Sequence, residues 1–381
     1  MLIIFKKIFA VTMLLFCFSF TYAAYGISEG DISAASALLV DCDTGEVLFE
    51  KDAYSKRSMA STTKIMTALI AVESGKLDDI VTVDEKIYIE GTALGLDKGD
   101  KLTLKTLCYG MLLESGNDAA VLTGIHLSGS EEKFSKLMNK KAAEIGMENT
   151  NFVTASGLDD PEHYTTAYDM ALLGCYAVKN DTFRDICSTR SYKAEYISPS
   201  KTRYFSNHNR LLESCEGVFG IKTGFTKKSG RCLVSACERD GKMLVAVTLN
   251  APDDWNDHRE LYEYGYSLYK AASFDDPRVS EISVIGSHNS SIGVGYIGKE
   301  SVSVKSDSEI TVKTFLSGFY YAPVKKYDIL GKAVMYQNGI QVAERLIVAT
   351  DDAPAVEPIK KTKLGIKQRF ISFIEKLFKG R

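Results

Sequence analysis

The sequence predicts an α+β fold in which strands from both ends of a large first domain meet in one antiparallel sheet. Three observations lead there. Strand patterns open and close residues 24–276, helical periodicities fill the middle, and beyond Pro277 the texture becomes β-rich.

Taken in order, residues 1–23 stand apart from the fold. Lys6 and Lys7 precede an apolar run from Ile8 to Phe20, and Thr21-Tyr22-Ala23 has a small-x-small cleavage pattern. This reads as a secretory signal peptide, its run being short for a membrane span, and it predicts an exported protein. Residues 37–40 and 46–50 read as a hairpin around Asp43-Thr44-Gly45. Ile65, Met66, Leu69, Ile70 and Val72 recur at helical spacing and predict a helix that stops at Gly75. Further helices are expected over 104–113, 119–127, 131–145 and 166–178, with turn chemistry across 152–168. Strands over 217–226, 233–236 and 244–249 follow, the last two joined by Asp240-Gly241. A helix over 257–270 closes the domain.

Residues 279–350 are expected to form a small all-β domain with a hairpin at Asn338-Gly339. It holds no cluster of titratable residues that assembles into a site, so a spacer or protein-contact role is expected. Residues 351–363 read as a linker. Within 364–381, Ile366, Phe370, Phe373, Ile374, Leu377 and Phe378 recur at helical spacing among Lys367, Arg369, Lys376 and Lys379. That pattern predicts a basic amphipathic helix lying in the membrane interface, each cation near anionic lipid contributing about 1 kcal/mol.

Charge is unevenly distributed. Residues 358–381 carry eight Lys/Arg against one Glu, whereas the rest of the chain beyond the signal has 36 basic against 48 acidic residues. An acidic body with a basic tail argues against nucleic acid and for an anionic surface as partner. Seven cysteines remain outside the signal, an odd number at irregular spacings without Cys-x-x-Cys. Neither a disulfide framework nor a zinc ribbon is implied, and most are expected as small buried hydrophobes, at spacings that still leave room for an opportunistic bridge. The five histidines lack the His-Glu-x-x-His pairing of a zinc peptidase.

The chemistry concentrates in three short motifs. Ser61-x-x-Lys64 stands at the mouth of the first helix, where three-residue spacing puts hydroxyl and amine on one face. A serine becomes a nucleophile when a base takes its proton, and a lysine serves as that base when burial or a neighbouring cation lowers its pKa. By itself the tetrapeptide is also compatible with an N-cap serine and a solvated lysine. Ser115-Gly116-Asn117 sits on a tight connection between two helices, and Lys222-Thr223-Gly224 falls in a strand. The order and contexts (helix start, inter-helix turn, strand) are those of serine acyl-transfer enzymes.

With these motifs, Leu112 to Ala120, Gly157 to Pro161, Tyr164 to Asp169 and Gly220 to Thr226 make the chain resemble the D-alanyl-D-alanine carboxypeptidases, low-molecular-mass penicillin-binding proteins. The resemblance implies a DD-peptidase/β-lactamase-like domain, a β-rich second domain and a C-terminal amphipathic anchor, at the outer face of the cell membrane. It implies that Ser61 attacks the carbonyl between the terminal D-alanines of a peptidoglycan stem peptide, and that β-lactam antibiotics acylate the same serine. Lys64 would accept the proton and Ser115 relay it. Asn117 would hold the substrate amide, and the amides of Ser61 and Phe225 would form an oxyanion hole. Thr223, with Lys222 behind it and Gly224 beside it, suits the terminal carboxylate, and Arg259 matches a family position for that carboxylate. Its alternative is a surface salt bridge. No metal or cofactor is required. Asp159, Asp160 and His163 are expected to serve the loop's hydrogen bonding rather than acid/base chemistry.

Two rival readings share the features. A class A β-lactamase has the scaffold, but its turn motif reads Ser-Asp-Asn where this chain has Gly116, and no deacylating Glu motif lies between Asn117 and Lys222. A catalytically silent wall-binding anchor is the other, and the complete set of reactive residues counts against it.

Overall fold

The computed structural model describes residues 26–298, 301–357, 370–371 and 374–375. The expected signal peptide, part of the linker and most of the amphipathic helix lie outside the described residues. The chain divides into two compact units, with the break between Lys270 and Ala271. That is earlier than the expected 276–279, because Phe274 already packs in the core of the second unit.

The first unit is an α+β layer structure. Its sheet runs in the order β2 (Val47–Lys51), β1 (Ser36–Asp41), β9 (Lys242–Leu249), β8 (Gly230–Arg239) and β7 (Val218–Thr226), antiparallel throughout. Terminal strands therefore meet as the pattern predicts. Successive residues of β1 face opposite sides. Leu38 and Val40 join the larger core, while Ala37 and Leu39 join the smaller one. All six residues of β1 are buried, so its middle, Ala37 to Val40, reads as an apolar run instead of an alternation.

The larger core is closed by α1 (Lys64–Glu73), the hairpin β3 (Ile80–Thr82) and β4 (Lys101–Thr103), α2 (Leu104–Leu112), α3 (Asn117–Ser128), α4 (Glu131–Ile145) and α5 (Ala167–Ala177). Local chemistry sets their ends. Thr103, Ser130 and Thr166 cap α2, α4 and α5 by accepting from the amides of Thr106, Lys133 and Asp169. Gly146 closes α4 at φ +92°, a left-handed conformation that favours glycine. After α6 (Asp181–Ser188) a hairpin of β5 (Ser191–Tyr196) and β6 (Lys201–Ser206) is added, followed by the short α7 (Leu211–Ser214). On the other face, Leu261 and Tyr262 of α8 (Asp254–Ser267) cover the smaller core. Cys42 and Cys175 form a disulfide between the end of β1 and α5, and the other five cysteines described are buried thiols.

Between 271 and 357, the described residues of the second unit are all-β. A six-stranded sheet runs in the order Ile310–Leu316, Ile329–Gln337, Ile340–Ala349, Ser291–Tyr296, Glu281–Ile285 and Phe319–Tyr321. Asn338-Gly339 is its hairpin turn, both residues at positive φ.

Candidate active site

Ser61 lies in a single 3-10 turn, Ala60–Thr63, that runs directly into α1. It is therefore not an N-cap residue, and its hydroxyl makes no capping bond. Lys64 is the first residue of α1, and its Nζ stands 2.8 Å from Ser61 Oγ. The amine is fully buried. Two further atoms contact it: Asn117 Oδ1 at 2.7 Å and the carbonyl of Ser156 at 2.6 Å, both accepting from Nζ. Asn117 presents its oxygen to the lysine because its Nδ2 donates to the Glu90 carbonyl at 2.6 Å.

These contacts suit a neutral amine. A neutral amine has two N–H bonds and one lone pair, and the two pure acceptors claim both N–H bonds. The lone pair is left for Ser61. Burial, and then the charge of Lys222, hold Lys64 well below the ordinary lysine value, with Asp118 acting the other way. Lys222 is itself buried, which brings it down to about 7 against the opposing pull of Glu114.

The surroundings position the pair. Asp118, in the first turn of α3, accepts from the amides of Leu94, Leu96 and Ala119 and so ties down the segment that carries Glu90. Gly157 lies against the serine turn at φ +87°, where an added Cβ would come within 1.9 Å of the Ala60 carbonyl. Thr63 Oγ1 donates to that same carbonyl and lies 2.8 Å from His163 Nε2. His163 Nδ1 accepts from the amide of Val153, so Nε2 carries the ring proton. Burial lowers this histidine to about 4, which keeps it a neutral support at physiological pH. Asp159 Oδ1 accepts from Thr226 Oγ1, and Asp160 accepts from the amide of Glu162.

Across the cleft, β7 is the outer strand of the sheet. Its Gly224 approaches the serine turn so closely that a Cβ would sit 3.0 Å from the Ser61 amide nitrogen. The Thr226 amide donates to Ser229 inside the β7–β8 turn. By strand alternation, the neighbouring Phe225 amide then points to the free edge, where Ser61 stands. Ser115 occupies the connection between α2 and α3 at φ +63°, a left-handed conformation rarely held outside glycine.

A cleft of about 1000 Å³ joins these parts, with Ser61, Ser115, Asn117, Thr223, Gly224 and Phe225 in its walls. Lys64 and Lys222 lie buried behind it. Asn117 begins α3, two residues earlier than its apolar pattern indicates. Arg259 departs from the expectation. It is absent from the cleft walls, and its Nη2 donates to Asn256 Oδ1 at 3.3 Å on the same helix. The arginines in the walls are Arg210 and Arg231. Ser156, Asp118 and Arg231 were not indicated by sequence. Asp118, directly after the Ser-Gly-Asn motif, is an acid at a helix start, the one local signal present. Among the described residues, no group of three or more His, Cys, Asp or Glu is arranged to hold a metal.

A buried lysine beside a serine at a helix entrance, a Ser-Gly-Asn turn and a Lys-Thr-Gly edge strand facing one cleft define the class of penicillin-binding serine peptidases. The chain belongs to the D-alanyl-D-alanine carboxypeptidase family, peptidase S11, which it matches over residues 23–253. It is 31% identical to the D-alanyl-D-alanine carboxypeptidase DacF of Bacillus subtilis, over 85% of this chain and 87% of that one. It is 30% identical to DacC of Escherichia coli, over 88% of this chain and 89% of that one. Penicillin-binding protein 5 of Haemophilus influenzae superposes with a TM-score of 0.61 at 26% identity, covering 86% of this chain and all of that structure. The Streptomyces K15 DD-transpeptidase gives 0.60 at 30% identity, covering 64% of this chain and all of that one.

Proposed function

We propose that this chain is a serine D-alanyl-D-alanine carboxypeptidase that removes the terminal D-alanine from peptidoglycan stem pentapeptides through an ester on Ser61. The observation that carries the reading is the Lys64 amine, 2.8 Å from Ser61 Oγ and with both N–H bonds of its neutral form engaged elsewhere. Ser61 Oγ adds to the carbonyl between the two D-alanines, and its proton passes to Lys64 Nζ. The oxyanion accepts from the amides of Ser61 and Phe225. Ser115 relays the proton held by Lys64 to the departing amine, giving up its own and taking that one, the C–N bond breaks, and free D-alanine leaves. Water then adds to the ester, returning Ser61 and releasing the shortened peptide. Asn117 orients the substrate amide. Thr223, backed by Lys222, receives the terminal carboxylate.

A β-lactam presents a strained amide next to a carboxylate and would acylate Ser61 by the same steps. Slow loss of that adduct favours the carboxypeptidase over a β-lactamase. The family membership and the named relatives support the main reading over both rivals. Export through residues 1–23, and attachment to an anionic membrane surface through residues 364–381, complete the proposal. No helix among the described residues is long and apolar enough to cross a membrane. Incubation of the purified protein with a stem pentapeptide, with assay of free D-alanine, tests the activity. Release by the native protein and none by Ser61→Ala is expected. Equal release by both would refute it.

A further inference from the structure

Arg231 is built into the cleft in a way that a solvated surface arginine is not. It stands on β8 directly opposite Phe225, and Leu233 stands opposite Thr223. Arg231 and Thr223 therefore project from the same face of the sheet as diagonal neighbours. Such pairs are about 7–8 Å apart, well within the reach of an arginine side chain. Its Nε and Nη2 both donate to Asp254 Oδ1, at 2.9 and 2.7 Å. Asp254 is the first residue of α8 and only 3% of its side chain is exposed. The guanidinium also lies 5.4 Å from the Trp255 ring centroid.

One edge of the planar group is thus anchored from beneath. No acceptor among the described residues takes the hydrogens of Nη1. The side chain, 41% exposed, contributes to the cleft wall beside Thr223 and Phe225. A guanidinium fixed on one edge and open on the other matches the two oxygens of a carboxylate, with little side-chain freedom left to lose. Arg210, also in the wall, has no described carboxylate holding its side chain.

We infer that Arg231, oriented by Asp254, grips the free C-terminal carboxylate of the substrate together with Thr223. The inference rests on the carboxypeptidase reading and assigns to β8 the cation expected at Arg259. Lys222 supplies charge behind Thr223, and Arg231 supplies the directional fork.

The experiment compares each acceptor with a partner lacking the charge: a stem peptide ending in free D-alanine against its C-terminal amide, and a penicillin against its methyl ester. The first pair is read as kcat/KM for release, the second as the acylation rate of Ser61 by intact mass. Arg231→Gln should slow the free acids by about a hundredfold and leave the amide and ester nearly unchanged. Arg231→Lys, which keeps the charge without the fork, should fall between, and Arg210→Gln should retain the native preference. The inference is overturned if Arg231→Gln still prefers the acids, if acid and capped forms slow equally, or if Arg210→Gln loses the preference instead. Should the native protein release no D-alanine while still preferring the free penicillin, the peptidase reading fails and the penicillin pair alone decides Arg231.

Discussion

Asn117 Oδ1 accepts from Lys64 Nζ at 2.7 Å, while the other half of the same amide is tied to the Glu90 carbonyl. A neutral acceptor at this place leaves the lysine free to be uncharged. Asn117→Asp changes the sign of the argument without changing its shape. A carboxylate at that distance favours the ammonium form, which has no lone pair for Ser61. Acylation by penicillin at pH 7 should fall by at least about a hundredfold, part of it recovering as pH rises. An unchanged rate would mean that Lys64 is not the base.

Lys222 acts on the same equilibrium from the other side. Its charge helps to hold Lys64 down. In Lys222→Gln the Lys64 pKa should rise, so the acid limb of the acylation profile should move to higher pH. Stability should respond too. Lys222 falls from 10.5 unfolded to about 7 folded, so between these values the unfolded chain binds more protons. Native stability should therefore increase with pH from about 7 towards 10.5, and the variant should lose part of that slope. Denaturation at several pH values, with acylation rates alongside, checks both signs.

Gly157 tests the support of the serine turn. An alanine there needs φ +87° and places its Cβ against the Ala60 carbonyl. Gly157→Ala should cost about 3 kcal/mol or more and slow acylation by shifting Ser61. A variant with native melting and native acylation would remove this loop from the account.

The Cys42–Cys175 disulfide closes a sequence separation of 133 residues. In the chain-entropy description such a link contributes about 5 kcal/mol by restricting the unfolded state. The double variant Cys42→Ser/Cys175→Ser should unfold at lower denaturant, and reductant should destabilise the native protein but not the variant. Equal midpoints with and without reductant would show that the bridge is not formed.

Much of this was legible in the chain. The three motifs carry their backbone contexts with them, and Gly146 and Asp240-Gly241 mark ends by conformations that few other residues adopt. What sequence did not reveal depends on pairing between distant segments. In the β5–β6 hairpin only β5 alternates, with Tyr192, Ala194 and Tyr196 turned inward, whereas β6 is polar, buries only Phe205 and offers no matching pattern. Arg259 and Arg231 both lie near the closing helix or its neighbouring strand. Only the β7–β8 register says which one shares a face with Thr223. Ser156 reaches Lys64 through its main-chain carbonyl, which no residue type encodes.

Catalysis by Ser61 depends on an uncharged Lys64 amine beside it. Titration of the side-chain nitrogen of Lys64 by NMR of lysine-labelled protein, assigned through Lys64→Met, measures this directly. Lys64 should lose its proton far below the usual lysine range; a Lys64 that titrates together with the exposed lysines, near about pH 10, would mean that it is no base for Ser61.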